Sequence, residues 1–242
     1  MQSTGITIWK DTEALSIAAA HFFVAECHRC IAKKGKFVVA LSGGSTPKRL
    51  YQLLASPEFN RNIPWEKVFL FWSDERFVLH TDADSNYRMV KESLLDHISI
   101  PEKNIFAIPI NETAKESAKE YEASINQFYK SKKIVFDWLL LGMGDDGHTA
   151  SLFPGTTILK EKKKSIKEVW VEQKKVWRIS FTLPLINNAT QIIFLIAGKE
   201  KATVVADVIN YKKIKPAYPS QLVKPEKGTL YWMLDEEAAA KV

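Results

Sequence analysis

The stretch FVVALSGGSTPK (residues 37–48) holds three signals in succession: an apolar run, a pair of glycines, and a proline that opens a helix. A strand with no apolar–polar alternation is buried on both faces, and such strands belong to parallel sheets covered by crossover helices. Pro47 suits the first turn of a helix, where its missing N–H costs nothing, and Ser45 or Thr46 can cap that helix. The segment therefore predicts a strand, a tight turn and a helix, the repeating unit of an α/β fold.

Outward from this unit the same alternation continues in both directions. Upstream, ITIW (6–9) reads as a strand, and Asp11 can cap a helix running to about Lys33 with Leu15, Ala18, Ala19, Phe22 and Phe23 on its buried face. Downstream, VFLFW (68–72), IVFDWLLLG (134–142), VWRISFTL (176–183), QIIFLIAG (191–198) and a short terminal TLYWML (229–234) read as strands. Amphipathic spacing predicts helices over residues 86–97, 112–129 and 200–211. The expected architecture is a doubly wound, mostly parallel α/β sheet flanked by helices. With no linker, low-complexity tract or internal repeat, one domain over residues 1–242 is expected.

Composition narrows the function classes. Of 242 residues, 46% are hydrophobic, enough for a sizeable core, and the formal charge of +6 is only mildly basic. Much of the excess lies in residues 160–175, including Lys162, Lys163, Lys164, Lys167, Lys174 and Lys175, which reads as a solvated loop and helix face. No aromatic stacking pattern, helix-turn-helix or zinc-finger spacing accompanies it, so a nucleic-acid partner is not expected. Cys27 and Cys30 form a CxxC in the second half of a helical pattern rather than at a helix start, so a structural role is expected. There is no signal-peptide pattern and no apolar run near the ~18 residues a bilayer needs. A cytoplasmic protein without a membrane partner is expected, as a monomer or small homo-oligomer.

In open parallel sheets ligands bind beyond the carboxyl ends of the strands. Four segments of unusual chemistry follow apolar strands directly: residues 42–48, 73–77, 142–148 and 198–201. In the first, Gly43 and Gly44 let the backbone approach a ligand, while Ser42, Ser45, Thr46 and Lys48 add donors at a helix start, a natural phosphate site. In the second, Asp74 and Arg76 stand at the ligand edge, where arginine can hold a phosphate or a developing oxyanion. In the third, GMGDDGH, His148 closes a glycine-rich loop as a candidate general base, with Asp145 or Asp146 able to orient its ring. The fourth supplies Lys201, and Arg178 on its apolar strand needs an anionic partner if buried. No Walker loop, dinucleotide fingerprint, nucleophile elbow or metal-ligand spacing is present in the sequence.

Taken together, ALSGGSTPKRLY, FWSDERFV with SNYRM, LLLGMGDDGHTASLFPG, RISFTLPLINNA and AGKEKA resemble the 6-phosphogluconolactonases of the pentose phosphate pathway across nearly the whole chain. The related glucosamine-6-phosphate deaminases share the scaffold but typically continue DGHxAFNEP, with a glutamate that helps ring opening. Here the stretch is Ser151-Leu152-Phe153-Pro154 and that glutamate is missing, which favours the lactonase branch over a deaminase or sugar-phosphate isomerase. A non-catalytic sugar-phosphate sensor is the reading from another class.

The resemblance implies hydrolysis of 6-phospho-D-glucono-1,5-lactone without metal or cofactor. It implies His148 as the base that activates water, Asp146 as its orienting partner, and Asp74 and Arg76 at the ring and oxyanion. Ser42, Gly43, Gly44, Ser45 and Thr46 would hold the phosphate, with Arg178 and Lys201.

Overall fold

A computed structural model describes residues 3–130, 132–210 and 217–242. β1 (Ser3–Trp9) leads into α1 (Thr12–Lys34), and β2 (Phe37–Leu41) into α2 (Ser45–Ala55) and the short α3 (Pro57–Asn60). Next come β3 (Val68–Trp72), β4 (Asp74–Arg76), α4 (Asn86–Ser93), β5 (Ile105–Phe106) and α5 (Ala114–Phe128). Then follow β6 (Trp138–Leu141), β7 (Ile166–Val171), β8 (Val176–Phe181) and α6 (Leu183–Ile186). β9 (Gln191–Ile196), α7 (Ala202–Ile209), β10 (Thr229–Asp235) and α8 (Glu236–Ala239) complete the described chain.

Seven strands form one sheet in the order β1-β10-β9-β6-β2-β3-β5, and every neighbouring pair is parallel. The stretch read as a short terminal strand is interior: β10 pairs with both β1 and β9. β2 is buried along its whole length, as its unbroken apolar run requires. Aromatic rings pack beside it, with Phe23 edge-on to Phe37 at 5.2 Å and to Trp138 at 5.6 Å. Among the described residues no helix is long and apolar enough to cross a membrane. Cys27 and Cys30 lie buried and unbridged in α1, and burial pushes their thiols up to about 12 and about 11, which leaves them unreactive.

Element boundaries follow local chemistry. Asp11 accepts a hydrogen bond from the Ala14 N–H at 2.8 Å to start α1, and Gly35 ends it at φ 78°. The strand expected over 134–142 begins only at Trp138. The carboxylate of Asp137 is turned inward instead, accepting from the Val38 N–H at 2.8 Å and pairing with Lys34. The helix expected over 86–97 stops as an α-helix at Ser93 and continues as a 3₁₀ turn over Leu95–His97. Thr113 and Glu116 form a reciprocal capping box that starts α5. The last expected helix gives α7, and its predicted end at residue 211 lies outside the described residues.

Two readings need correction. The stretch 176–183, grouped with the apolar strands, does not join the parallel sheet. β8 forms the centre of a separate antiparallel sheet, β4-β8-β7. The lysine-rich run is not a helix face: it contains β7 and the hairpin turn to β8, where Lys175 adopts φ 48°. β7 buries Ile166, Val169 and Val171, a pattern short of strict alternation that the surrounding lysines hide in the sequence.

The loop before β7 is organised by one carboxylate. Glu161 accepts from the backbone N–H groups of Lys162, Lys163 and Lys164 at 2.9–3.2 Å and from Lys167 Nζ at 3.1 Å. The N–H groups of Lys163 and Lys164, then the Lys167 ammonium, hold its carboxyl down to about 2. A depressed folded-state pKa means that this tether is complete above the ordinary value of 4.5 and fades as pH falls toward about 2. Glu161→Gln is expected to speed amide hydrogen exchange at residues 162–164 at pH 7. Unchanged protection there would show that the loop does not depend on the charge.

Candidate active site

The strand order locates the site before any side chain is considered. From β2 the chain continues to β3 on one side, and from β6 to β9 on the other, while β2 and β6 are themselves neighbours. The order therefore reverses between them, and the crevice at their carboxyl ends is where an open α/β sheet binds ligands. The loops leaving these two strands are SGGST (42–46) and GMGDDGH (142–148). They face a cavity of about 220 Å³ lined also by Asp74, Arg76, Asn86, Arg178 and Lys201. All four expected segments converge here. Of the expected residues Lys48, Asp145 and Asp146 are outside the lining: Lys48 lines a separate hollow with Gln52 and Glu92, Asp145 pairs with Lys201, and Asp146 contacts His148 directly.

Two tyrosines hold the strand ends beneath the cavity. The buried Tyr51 hydroxyl donates to Ser42 O at 2.7 Å and accepts from Ser42 N at 3.1 Å. Tyr121 does the same at Trp72, at 3.1 and 2.9 Å. Burial raises both phenols, so they remain neutral and able to donate as well as accept. The loop after β2 then turns through Gly44 at φ 111°, a conformation that favours glycine. Gly44 is itself the N-cap, so neither Ser45 nor Thr46 caps α2 through its side chain as the sequence reading allowed. Both residues line the cavity instead. Gly43 is required by close approach, because a Cβ there would stand 1.9 Å from Asn86 Oδ1.

The antiparallel sheet carries the cations. Arg76 and Arg178 are register partners on β4 and β8, and both line the cavity. Like charges directly opposite on a sheet repel, so the pair needs an anion nearby. Asp74 supplies part of the compensation: its Oδ2 lies 3.8 Å from Arg178 Nη1 and accepts from Ser151 Oγ at 2.6 Å. Burial pulls the Arg178 guanidinium below its ordinary value, with Asp74 opposing. Arg76 Nε and Arg178 Nε are buried and find no acceptor among the described residues. With Lys201, the lining holds three cations against the single carboxylate of Asp74. This is the electrostatic form of an anion site.

His148 occupies the other side. Its Nδ1 lies 2.5 Å from Asp146 Oδ1. An ionised carboxylate only accepts, so Nδ1 carries the proton and Nε2 keeps a free lone pair. Burial would raise the Asp146 carboxyl, but the hydrogen bond and charge of His148 outweigh it and hold it below the usual carboxylate range. The adjacent aspartates divide their work, because Asp145 pairs with Lys201. Gly144 packs so closely under the imidazole that a Cβ would fall 2.0 Å from His148 Cε1. Gly144→Ala is therefore expected to displace the ring from Asp146 and lower turnover about as severely as losing a general base, some 10²–10⁴-fold. A crystal structure of that variant with the His148–Asp146 bond intact would refute the steric argument.

Several contributors carried no clear sequence signal. Ser151 is fully buried and joins the His148 loop to both other walls: its hydroxyl donates to Asp74 and accepts from Arg178 Nη1 at 3.5 Å, and its backbone N–H donates to Ser180 Oγ at 3.1 Å. Asn86, in the SNYRM stretch, donates to the Asp74 carbonyl at 2.9 Å. Glu75 sits buried below β4 and accepts from Arg76 N, Asn86 N, Tyr87 N and Ser85 Oγ at 2.7–3.0 Å. Burial raises its carboxyl although these donors oppose the shift. It thereby ties the start of α4 to the strand bearing Asp74 and Arg76.

The resemblance to known proteins covers this whole arrangement. The chain is 38% identical over 241 residues to the 6-phosphogluconolactonase of Nostoc sp., covering 98% of each chain. It is 39% identical over 214 residues to that of Synechocystis sp., covering 87% and 86%. The solved structure of 6-phosphogluconolactonase from Trypanosoma brucei superposes with a TM-score of 0.86 at 29% identity over 100% of both chains. Residues 10–232 match the sequence pattern described as glucosamine-6-phosphate isomerases/6-phosphogluconolactonase. That span takes in both switch-point loops, the arginine pair and His148, and the chain belongs to this family.

Proposed function

We propose that this protein hydrolyses 6-phospho-D-glucono-1,5-lactone to 6-phospho-D-gluconate, the lactone step of the oxidative pentose phosphate pathway. The observation that carries the reading is the His148–Asp146 pair facing a cation-rich cleft. It supplies one free base and one anion-holding wall, and a lactone is already an activated ester needing little more. The relatives named 6-phosphogluconolactonase over nearly the full chain support the same substrate.

In this mechanism the substrate phosphate lies among the backbone N–H groups of Gly43 and Gly44, the hydroxyls of Ser42, Ser45 and Thr46, and the cations of Arg178 and Lys201. Nε2 of His148 takes a proton from water as its oxygen bonds to the lactone carbonyl carbon. Negative charge appears on the carbonyl oxygen, where the Arg76 guanidinium stabilises it. Collapse of the tetrahedral intermediate breaks the bond from that carbon to the ring oxygen, which receives the proton from Nε2. Asp74, an anion itself, does not stabilise the oxyanion; it holds Arg178 and accepts from a sugar hydroxyl. Asp146 keeps the imidazole in the tautomer that leaves Nε2 free.

The test is hydrolysis of freshly generated lactone by the purified protein with EDTA present, beside an assay for ammonia release from glucosamine 6-phosphate. Fast lactone turnover without ammonia release is expected. Ammonia release would move the chain to the deaminase branch, and tight 6-phosphogluconate binding without turnover would make it a sensor.

A further inference from the structure

The imidazole of His148 is fixed on more sides than its hydrogen bond explains. Phe153, 3% exposed, lies against it with ring centroids 4.0 Å apart and planes 19° from parallel. The Arg178 guanidinium carbon is 5.3 Å from the centroid of the same phenyl ring. The platform is itself pinned: the Phe153 carbonyl accepts from Thr156 Oγ1 at 2.6 Å and Thr156 N at 3.2 Å. Earlier in the loop, Thr149 Oγ1 donates to Gly142 O at 2.8 Å and Ser151 is anchored to Asp74. Asp146 holds one edge of the imidazole, Gly144 crowds the Nδ1–Cε1 side, and Phe153 covers a face. Nε2 is the nitrogen left for chemistry.

We propose that Phe153 is a positioning residue for the hydrolysis: its ring sets the plane of His148 and steadies the imidazolium that forms when Nε2 takes a proton. The inference rests on the reading of His148 as the base. An aromatic face carries negative charge density, and a cation placed over it is attracted. Neutral imidazole gains little from that field and imidazolium gains more, so the contact strengthens as the reaction proceeds. Such an interaction accelerates the chemical step rather than tightening substrate binding. The surrounding charges pull in both directions. Asp146 and Asp145 from the same loop and Asp74 from β4 favour the cation, whereas Arg178 from β8, Arg76 from β4 and Lys201 before α7 oppose it. None of these is removed by changing Phe153.

Phe153→Leu keeps an apolar side chain without the aromatic face. It is expected to lower kcat roughly 2- to 30-fold, the range a cation–π contact spans, with KM changed less than about threefold. Because imidazolium loses support, the acid limb of the kcat/KM profile is expected to move to lower pH. Phe153→Tyr is expected to restore both kcat and the limb. A Leu variant with wild-type kcat, or with lowered kcat but an unmoved acid limb, would overturn the proposal. If the Leu variant fails to fold, Phe153→Met is read by the same two quantities. His148→Ala, run alongside, separates the two levels: turnover that survives it removes the base assignment, while turnover lost there and unchanged in Phe153→Leu removes only the role of the ring.

Discussion

His148→Ala is expected to lower kcat by about 10²–10⁴-fold, the usual contribution of a positioned general base, while the protein stays folded. The side chain faces the cleft, with 26% of its surface accessible, and Asp146 is 48% accessible. Truncation therefore leaves a cavity open to solvent and a carboxylate that water can serve. A change in Tm of no more than a few degrees is expected from a substitution that strands no buried charge. The variant also has a readout independent of turnover. With the imidazole hydrogen bond and charge gone, burial of Asp146 is opposed only by the backbone N–H groups, so its carboxyl should titrate at higher pH than in the wild type. In the wild type that bond contributes stability above the ordinary value of 3.8, and the contribution fades as pH falls through the depressed folded-state pKa. Full activity in the alanine variant, or collapse of the fold, would defeat the assignment.

Arg178→Met is expected to act on both binding and stability. The guanidinium is the countercharge of Asp74, and their side chains are only 10% and 6% accessible. Breaking a buried ion pair by removing one member typically costs about 3–5 kcal/mol, because the other charge stays buried. Relief of the repulsion from Arg76 on the facing strand offsets part of this. Asp74 also keeps its hydrogen bond from Ser151, so a clear fall in Tm without complete unfolding is expected. For catalysis, truncating a buried charge contact to an anionic ligand costs about 2–5 kcal/mol, or roughly 30- to 5000-fold in kcat/KM. The loss should fall mainly on KM, since the phosphate is bound equally in ground and transition states. Inorganic phosphate should raise the Tm of the wild type more than that of the variant. An unchanged KM would remove Arg178 from the phosphate site.

The parts of this protein readable from sequence are those where chemistry is local. β2, Gly43, Gly44 and the start of α2 lie within one short segment, and each residue there constrains the next. Asp146 and His148 likewise stand two residues apart on a glycine-rich turn. The convergence of four loops followed from a general property of parallel sheets, and Arg178 joins them from β8, which belongs to the other sheet. What escaped depends on distant pairs. Nothing in Ser151 alone announces a partner 77 residues away in Asp74. Nothing in Glu75 reveals that it will be buried beneath the start of α4 rather than solvated with its charged neighbours. In the sequence Phe153 shows only that a glutamate is missing, and its contact with His148 depends on the turn between them. In the lysine-rich run, the flanking charge hid β7, which buries Ile166, Val169 and Val171 without a strict two-residue period for the sequence to show.

The two phenols under the cleft bear on the speed of substrate capture. A loop that must order itself on binding spends part of the interaction free energy on lost conformational freedom, about 1–2 kcal/mol for each backbone residue restrained. Tyr51 and Tyr121 clamp both backbone groups of Ser42 and of Trp72, where the chain leaves the sheet. The cavity-facing turn thus starts from an anchored residue before any ligand arrives. Preorganisation of this kind favours encounter with an already shaped receptor over closure around a guest. A lactone that opens spontaneously in water is then met by a receptor with little rearrangement left to make.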